Sequence, residues 1–469
     1  VGIKDCIKRL FGFGYQAAEG TPRRKAPNII LRSEDDELWT ARRTALIGTT
    51  RDLMRNFAVA RWGVGKHLDY VSSFSFQSRT GVDSLDRYIE DLMYTWSLPQ
   101  NCDVTGRHDF TRLTRLLEGR AVVDGDCWWV KLASGQIQAI EGDRIRNPGD
   151  TKQVPIPEGG SIVNGVVLGP AGNMGGVCVC KRSNKTRFEF EQFVPSQYVI
   201  HHGYYDRYDQ VRGISPLASG LNAFRDVMEA SEYALLKAKI VALFGLKVTR
   251  QDADVLPQSV DQDADDPGYM VDFGKGPFLL DLQPGDDAEF LESSHPSTQF
   301  QDFMQASLGI ALKSLDIPLS FYDESFTNYS GARQAWIQYN QSADQKRNQL
   351  RRALNDVVMW KLGSWIASGT LQLPSGMTIF DLNWEWVGTG VPWLNPLQEV
   401  QANIAAINSG QTSRQRLCKE RGQDWNEIVQ ELAAEQQQLL ALGLNPNATP
   451  IPMTITVVAS GDEGNNTDE

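Results

Sequence analysis

The residues best suited to metal or nucleophilic chemistry in this chain are six cysteines and five histidines, and their spacing supplies neither chemistry. Cys178-Val-Cys180 brings two thiols one residue apart. A structural zinc needs about four ligands, and no second pair lies nearby, so these positions read as alternating residues of a strand. The cysteines at 6, 102, 127, 178, 180 and 418 show no framework spacing, which fits a reducing compartment. The histidines are His67, His108, His201, His202 and His295. Only His201 and His202 are adjacent, and neighbours in a strand point to opposite faces. The acidic run Asp261-Gln-Asp-Ala-Asp265-Asp266 invites a calcium loop. It lacks the Gly and Glu that an EF-hand needs at loop positions six and twelve, where Asp266 and Asp272 stand, so it reads as solvated loop. No G-x-x-x-x-G-K-[ST] cradles a phosphate: Gly65-Lys66 and Gly274-Lys275 lead to His67 and Gly276. A G-x-S-x-G elbow and an H-E-x-x-H helix are likewise missing. The expectation is therefore no catalytic residue, no bound metal and no cofactor. An enzyme of DNA metabolism built from scattered carboxylates leaves no sequence trace and stays open as an alternative.

The elements that would position any site are long. At 469 residues the chain exceeds one ordinary core, and two to four regions are expected. Hydrophobic residues at 41% and charged residues at 22% describe a folded protein. The longest apolar stretch, Ile240-Val241-Ala242-Leu243-Phe244, is far short of the roughly 20 residues of a membrane span. The N-terminus lacks the long apolar core and cleavage site of a signal peptide. Net charge is −12. DNA affinity comes mostly from Lys and Arg neutralising phosphates, so an acidic chain either avoids DNA or lets it pass without gripping it. Charge alone does not choose between them.

Residues 1–30 read as an arm with a basic cluster at Arg23-Arg24-Lys25. A helical pattern runs from Asp35 to His67, with Thr50 as a cap. Tyr70–Gln77 reads as a strand, Val82–Leu98 as a helix, and His108–Leu117 as a helix ended by Gly119. Ala121–Val123, Cys127–Leu132 and Ile137–Ile140 read as short strands, with Asp124-Gly125 and Ser134-Gly135 as hairpin turns. Ile162–Leu168, Val177–Lys181, Phe188–Phe193 and Tyr198–His202 continue a β-rich module over 120–210. Ser215 caps, and Pro216 opens, a helix running to Phe244, about 45 Å long at about 1.5 Å per residue. Its seam steps by four and three through 217, 221, 224, 228, 231, 235, 238 and 242. Leu221, Phe224, Met228, Leu235 and Ala238 are thus expected to pack it. Residues 246–294 read as a compact insertion with strands at Leu246–Thr249, Tyr269–Phe273 and Pro277–Leu282. A second long helix runs from Thr298 to Leu315 with Phe300, Met304, Leu308, Ala311 and Leu315 on one face, and Pro318 prevents its continuation. A third starts near Ser330 and is kinked or ended by Gly363. Residues 371–394 are irregular or strand-like, and 396–442 are helical, with Asp424 and Glu427 forming a capping box. Residues 445–469 have a disordered composition.

Four phrases occur in order: Arg55-Asn56, Arg212-Gly213-Ile214-Ser215-Pro216-Leu217, His295-Pro-Ser-Thr-Gln-Phe-Gln-Asp-Phe303, and Asn328-Tyr329-Ser330 with Arg333. Together they resemble the lambda-like portal proteins of tailed bacteriophages, over about Arg42 to Asn348. Gly331 departs from the family's usual second Ser, and Ser320–Thr327 does not match its pattern closely. The resemblance implies an α+β multi-domain portal architecture. Residues 1–30 would be an arm, 31–211 a mixed α/β wing, 212–245 and 295–316 the two stem helices, and 246–294 a small α+β clip. Residues 317–328 would be the tunnel loop, 329–394 a long wing helix with following strands, 395–444 a helical crown, and 445–469 a tail. Ile317, Pro318, Ser320, Phe321, Tyr322, Asp323, Glu324 and Asn328 would line the channel. Arg212, Gly213, Ser215, Pro216, Asn328, Tyr329, Ser330 and Arg333 carry the family motif. The implied function is a twelve-subunit ring at one capsid vertex, assembled in the host cytoplasm. It would conduct double-stranded DNA during packaging and ejection. Implied partners are the terminase large subunit, a neck or adaptor protein, and the major capsid and scaffold proteins, with no membrane. Another head or neck protein remains a third reading.

Overall fold

The computed structural model describes residues 32–183, 187–243, 246–250, 286–290, 298–323, 329–388 and 396–443. The arm at 1–30, the tail at 445–469, most of the clip and Glu324 to Asn328 lie outside them. So do the acidic run at 261–266 and the expected strands at 269–273 and 277–282. The chain divides into two compact units, Val1–Ser73 with Asp91–Asp381, and Phe74–Glu90 with Leu382–Glu469. Among the described residues no helix is long and apolar enough to cross a membrane.

The first unit opens with α1 (Glu34–Glu37), α2 (Thr40–Asn56) and α3 (Ala58–Val71). The expected single helical stretch is broken at Phe57, which leaves the helical region at φ −121° and ψ 108°. Thr50 is no cap; it sits inside α2 with its hydroxyl donating to the Leu46 carbonyl. After α4 (Asp83–Ser97) and α5 (Pro99–Cys102) comes α6 (Phe110–Asp124). It passes through Gly119 and includes Ala121–Val123, which read from sequence as a strand. That run is wholly buried, so it carries none of the polar alternation that separates helix from strand. Gly125, at φ 98°, closes the helix instead of turning a hairpin.

A three-stranded antiparallel sheet follows, ordered β3 (Ile137–Glu141), β2 (Asp126–Lys131), β8 (Val199–Gly203). A four-stranded one runs β4 (Ser161–Val163), β5 (Val166–Leu168), β6 (Met174–Arg182), β7 (Phe188–Pro195). The expected single strand Ile162–Leu168 is a hairpin. Asn164 and Gly165 both adopt positive φ, the conformation of a type I′ turn. The two sheets share one core in which Trp128, Val130, Ile140 and Val199 meet Val166, Val177, Val179 and Val194.

The long helix expected from Pro216 begins less regularly than its sequence suggests. Ser215 does cap and Pro216 does open the turn, but Pro216–Ser219 is a 3-10 turn. Only after Gly220 does α7 (Leu221–Leu243) begin. A Cβ at Gly220 would stand 2.8 Å from the Ala311 carbonyl oxygen, so this position brings the chain against α8 (Thr298–Lys313). Leu217, Leu221, Phe224 and Val227 pack with Leu308, Ala311, Leu312 and Leu315, and with Leu53, Ala60 and Val64. Strands β9 (Leu246–Arg250) and β10 (Asp286–Phe290) pair antiparallel. The long α9 (Tyr329–Ala367) continues through Gly363, which does not end it. A Cβ there would only touch Ile379 at 3.6 Å.

In the second unit β1 (Phe74–Ser78) pairs antiparallel with β11 (Trp384–Gly388), Phe76 opposite Trp386. The expected strand from Tyr70 thus starts four residues late, because α3 continues to Val71. Three helices follow: α10 (Pro396–Asn408), α11 (Arg414–Glu420) and α12 (Trp425–Ala441). Asp424 caps α12 by accepting from the Asn426 amide at 3.0 Å and is paired to Arg79 at 3.0 Å.

Candidate functional site

The loop between α8 and α9 is the element singled out by sequence, and its described half is firmly seated. Helix α8 ends in a Schellman closure: the Asp316 amide donates to the Lys313 carbonyl and the Ile317 amide to the Leu312 carbonyl. Asp316 occupies the left-handed region at φ 62°. Its carboxylate accepts from Ser342 at 2.6 Å and Lys346 at 2.8 Å, and Lys346 also donates to the Leu315 carbonyl. Burial works against that carboxylate, but these bonds outweigh it and hold its pKa below the usual value. Replacing Asp316 with Gly keeps the backbone comfortable and loses only the pairing. Replacing it with Ala loses both, and the added strain should cost about 1 kcal/mol more, read as a lower apparent melting temperature than the Gly variant's.

Ile317 is fully buried in the stem core. It anchors the start of the loop on that core. Leu319–Phe321 forms a 3-10 turn after Pro318. Phe321 packs against Tyr339 at 5.3 Å and Tyr70 at 6.0 Å between ring centroids, and those two tyrosines meet edge to face at 5.1 Å. Tyr322, half exposed, leans on Trp62 at 5.7 Å. Asp323 accepts from Gln305 at 3.1 Å. A groove of about 550 Å³ opens beside Tyr322, with Phe57, Val227, Phe300, Met304 and Leu308 on its walls. Ser320 lies in the 3-10 turn.

The Arg212-Gly213-x-Ser215-Pro216 phrase is buried and acts through packing. Arg212 is 1% exposed. Its five N–H donors are all used. Nε and Nη2 reach the two Asp126 oxygens at 2.7 and 2.9 Å, and the rest go to the carbonyls of Ile145, Asn164 and Gly142. Arg43 adds a second cation at 2.9 Å from Asp126 and donates to the Gly213 carbonyl. Gly213 itself donates to Asp126 at 3.0 Å. Ser215 donates to the Val122 carbonyl at 2.6 Å while capping Leu217. The phrase therefore ties the turn before α7 to the end of α6 and to both sheets. Burial alone would raise the Asp126 pKa; the Arg212 and Arg43 charges reverse that and bring it down to about 2. A carboxyl depressed on folding stabilises above its unfolded pKa of about 3.9, and that stability is lost as pH falls through the folded value. The apparent melting temperature of the unaltered chain is therefore expected to drop between about pH 4 and pH 2, and a profile flat across that range would remove Asp126 from the cause.

Sequence reasoning missed a second buried cluster. Glu118 on α6 accepts from His67 and His202 at 2.6 Å each, and from the Tyr204 hydroxyl. Burial opposes the carboxylate, but the two histidines overcome it and hold Glu118 well below its ordinary pKa. Burial and the Glu118 charge push the Tyr204 phenol up. Among the described residues no group of three or more His, Cys, Asp or Glu side chains is placed to hold a metal. His67, Glu118 and His202 lie 51 to 135 positions apart, so no spacing rule could gather them.

Of the expected stem residues, Leu221 and Phe224 are buried inside the protomer, whereas Leu235 is 56% exposed and Ala238 is exposed. Met228 is intermediate. Tyr329 begins α9, and Ser330 and Arg333 are exposed on its first turn. Asn328 and Glu324 lie outside the described residues.

Helices α7 and α8 packed at the Leu217–Val227 end, two antiparallel sheets sharing one core and a loop seated on aromatic rings form one packed body around the Arg212 phrase. Residues 21–347, more than half of the chain, match the family model "Phage portal protein, lambda family". The chain belongs to that family of portal proteins, structural and non-enzymatic components of the virion's portal vertex. A "Probable portal protein" of Halomonas phage phiHAP-1 is 22% identical over 387 residues, 78% of this chain and 73% of that one. The portal protein of Escherichia phage N15 is 26% identical over 184 residues, 36% of this chain and 33% of the relative. Among solved structures, a chain in the neck of an empty gene transfer agent particle gives a TM-score of 0.49 at 14% identity, covering 85% of this chain and 94% of that one.

Proposed function

We propose that the chain closes into a twelve-subunit ring whose α7 and α8 stem surrounds a channel for double-stranded DNA in packaging and ejection. The observation that carries this reading is the uneven burial of the stem. Its base is packed inside the protomer. Farther along, Tyr233, Leu235 and Leu236 on α7 and Phe303 and Ile310 on α8 stand 51–68% exposed. Large apolar side chains left exposed along two helices suit burial against neighbouring copies, and a ring repeats one heterologous interface until it closes. In this reading the terminase large subunit docks at the 246–294 clip before a neck protein replaces it. Capsid and scaffold proteins surround the wing, and 395–444 is the crown.

The loop half that carries Tyr322 and Asp323 sits on an aromatic base, and we assign it the channel side. Carboxylates there repel phosphate, so DNA slides without being held. Electron microscopy of the purified protein tests the ring: twelve copies around an open hole are expected, and a monomer at assembly concentrations defeats the reading. Asp323→Lys with Glu324→Lys should then leave the rings intact and slow DNA packaging. Packaging at the normal rate by that double variant removes the loop from the channel.

A further inference from the structure

The hairpin turn between β4 and β5 is built from a chemically labile pair. Asn164 and Gly165 hold φ at 46° and 86°, the left-handed pair of a type I′ turn, for which Asn-Gly is strongly preferred. Position 165 admits no side chain: a Cβ there would stand 2.4 Å from the Arg146 amide nitrogen. Asn is a thermolabile residue, and before a glycine nothing shields the amide nitrogen that follows it. Once that nitrogen loses its proton it can attack the Asn side-chain carbon, close a succinimide ring and release ammonia. Water then opens the ring to aspartate or to isoaspartate. In this fold the Gly165 amide is occupied. It donates to Oδ1 of Asn147 at 2.6 Å, and the Gly165 carbonyl accepts from the Cys178 amide at 2.8 Å. The Asn164 side-chain oxygen accepts from the Thr40 hydroxyl at 3.3 Å, which polarises the carbon that would be attacked.

We propose that Asn164 is a latent deamidation site kept closed by Asn147. The turn needs Asn-Gly for its backbone, so the labile pair stays and its nucleophile is held by a neighbour instead. The step being prevented forms a bond from the Gly165 nitrogen to Cγ of Asn164 and breaks the bond from Cγ to Nδ2. The amide proton leaves with the ammonia, and water is the only other reactant. Asn147 is exposed, and its side chain makes no other hydrogen bond among the described residues. What it protects lies deeper. The Asn164 carbonyl is one of the oxygens that Arg212 uses. Isoaspartate routes the main chain through the side chain and turns that carbonyl into a free carboxylate, so a change in one turn reaches the buried Arg212 cluster.

The test incubates the full chain in mildly alkaline buffer and reads residue 164 by peptide mass spectrometry, with a urea-unfolded sample as the reference for an unguarded pair. Folded wild-type protein should keep its amide long after the unfolded sample has converted. Asn147→Ala should convert roughly three- to tenfold faster than wild type while still folded, the factor that one net hydrogen bond is worth. Asn147→Asp, which keeps an acceptor, should stay close to wild type. A folded Asn147→Ala chain that converts no faster overturns the guard, as does wild-type protein that converts as fast as the unfolded sample. Hydrogen exchange at the Gly165 amide of the unaltered chain needs no variant. A slow amide is expected, and one exchanging at the unfolded rate overturns the proposal even where Asn147→Ala fails to fold.

Discussion

Replacing Asp126 with Ala is expected to eliminate most folded protein. The carboxylate is fully buried between Arg212 and Arg43, both less than a tenth exposed. Removing one partner of a buried ion pair costs about 3–5 kcal/mol, because the charge left behind has neither water nor a counter-ion. Here two guanidinium groups are left, so the cost belongs at or above the upper end. A domain's whole stability is about 5–15 kcal/mol. Burial already drives the Arg43 pKa down to about 10, with Arg212 as the next cause, while Asp126 supports it. Arg212→Lys should fail almost as badly, since an ammonium has three donors where five are in use. Soluble yield and thermal melting check both variants. An Asp126→Ala protein melting within about 2 °C of the wild type would show that the cluster carries little of the fold.

Gly213→Ala should be severely damaging for a single added methyl. Its Cβ would lie 2.1 Å from the Gly125 carbonyl oxygen and 3.0 Å from the Asp126 Cβ. The obstruction is backbone and cannot rotate away. Overpacking ordinarily costs about 1–3 kcal/mol and occasionally more. Here the shift would also pull Gly213 from Asp126 and Arg212 from its carbonyls, which adds to that cost. Gly125→Ala meets the same contact from the other side, with its Cβ 2.3 Å from the Gly213 oxygen, and adds strain at φ 98°. Gly48 provides the contrast: it lies inside α2 with nothing within 4 Å of an added Cβ. Gly48→Ala should therefore stabilise by roughly 0.5–1 kcal/mol. Melting temperatures of the three variants measure the difference. A Gly213→Ala protein as stable as Gly48→Ala would mean the two backbones are not pressed together.

The motif residues show how far a sequence can be read. Arg212, Gly213, Ser215 and Pro216 point to the family, and the helix cap made by Ser215 and Pro216 is legible because capping is a local matter of a few bonds. Their joint task is not legible. Asp126, Gly142, Ile145 and Asn164 come to Arg212 from 48 to 86 positions away. The same distinction explains the misread stretch Ala121–Val123. A run buried on all sides has no solvent face to set its period, so only its neighbours decide between helix and strand. Asn164-Gly165 is the opposite case, a turn signal carried by two adjacent residues.

By itself, then, the sequence determined the order of the long helices, the caps at Ser215 and Asp424, the absence of familiar catalytic motifs and the family. Each is written in near neighbours or in a short phrase. Tertiary structure alone decided that Ile317 is a root and Tyr322 an exposed residue, and that Glu118 lies beneath two histidines and a tyrosine. It also decided which part of the stem stays uncovered. Burial is a property of what arrives from elsewhere in the chain, and no local pattern of residues records it.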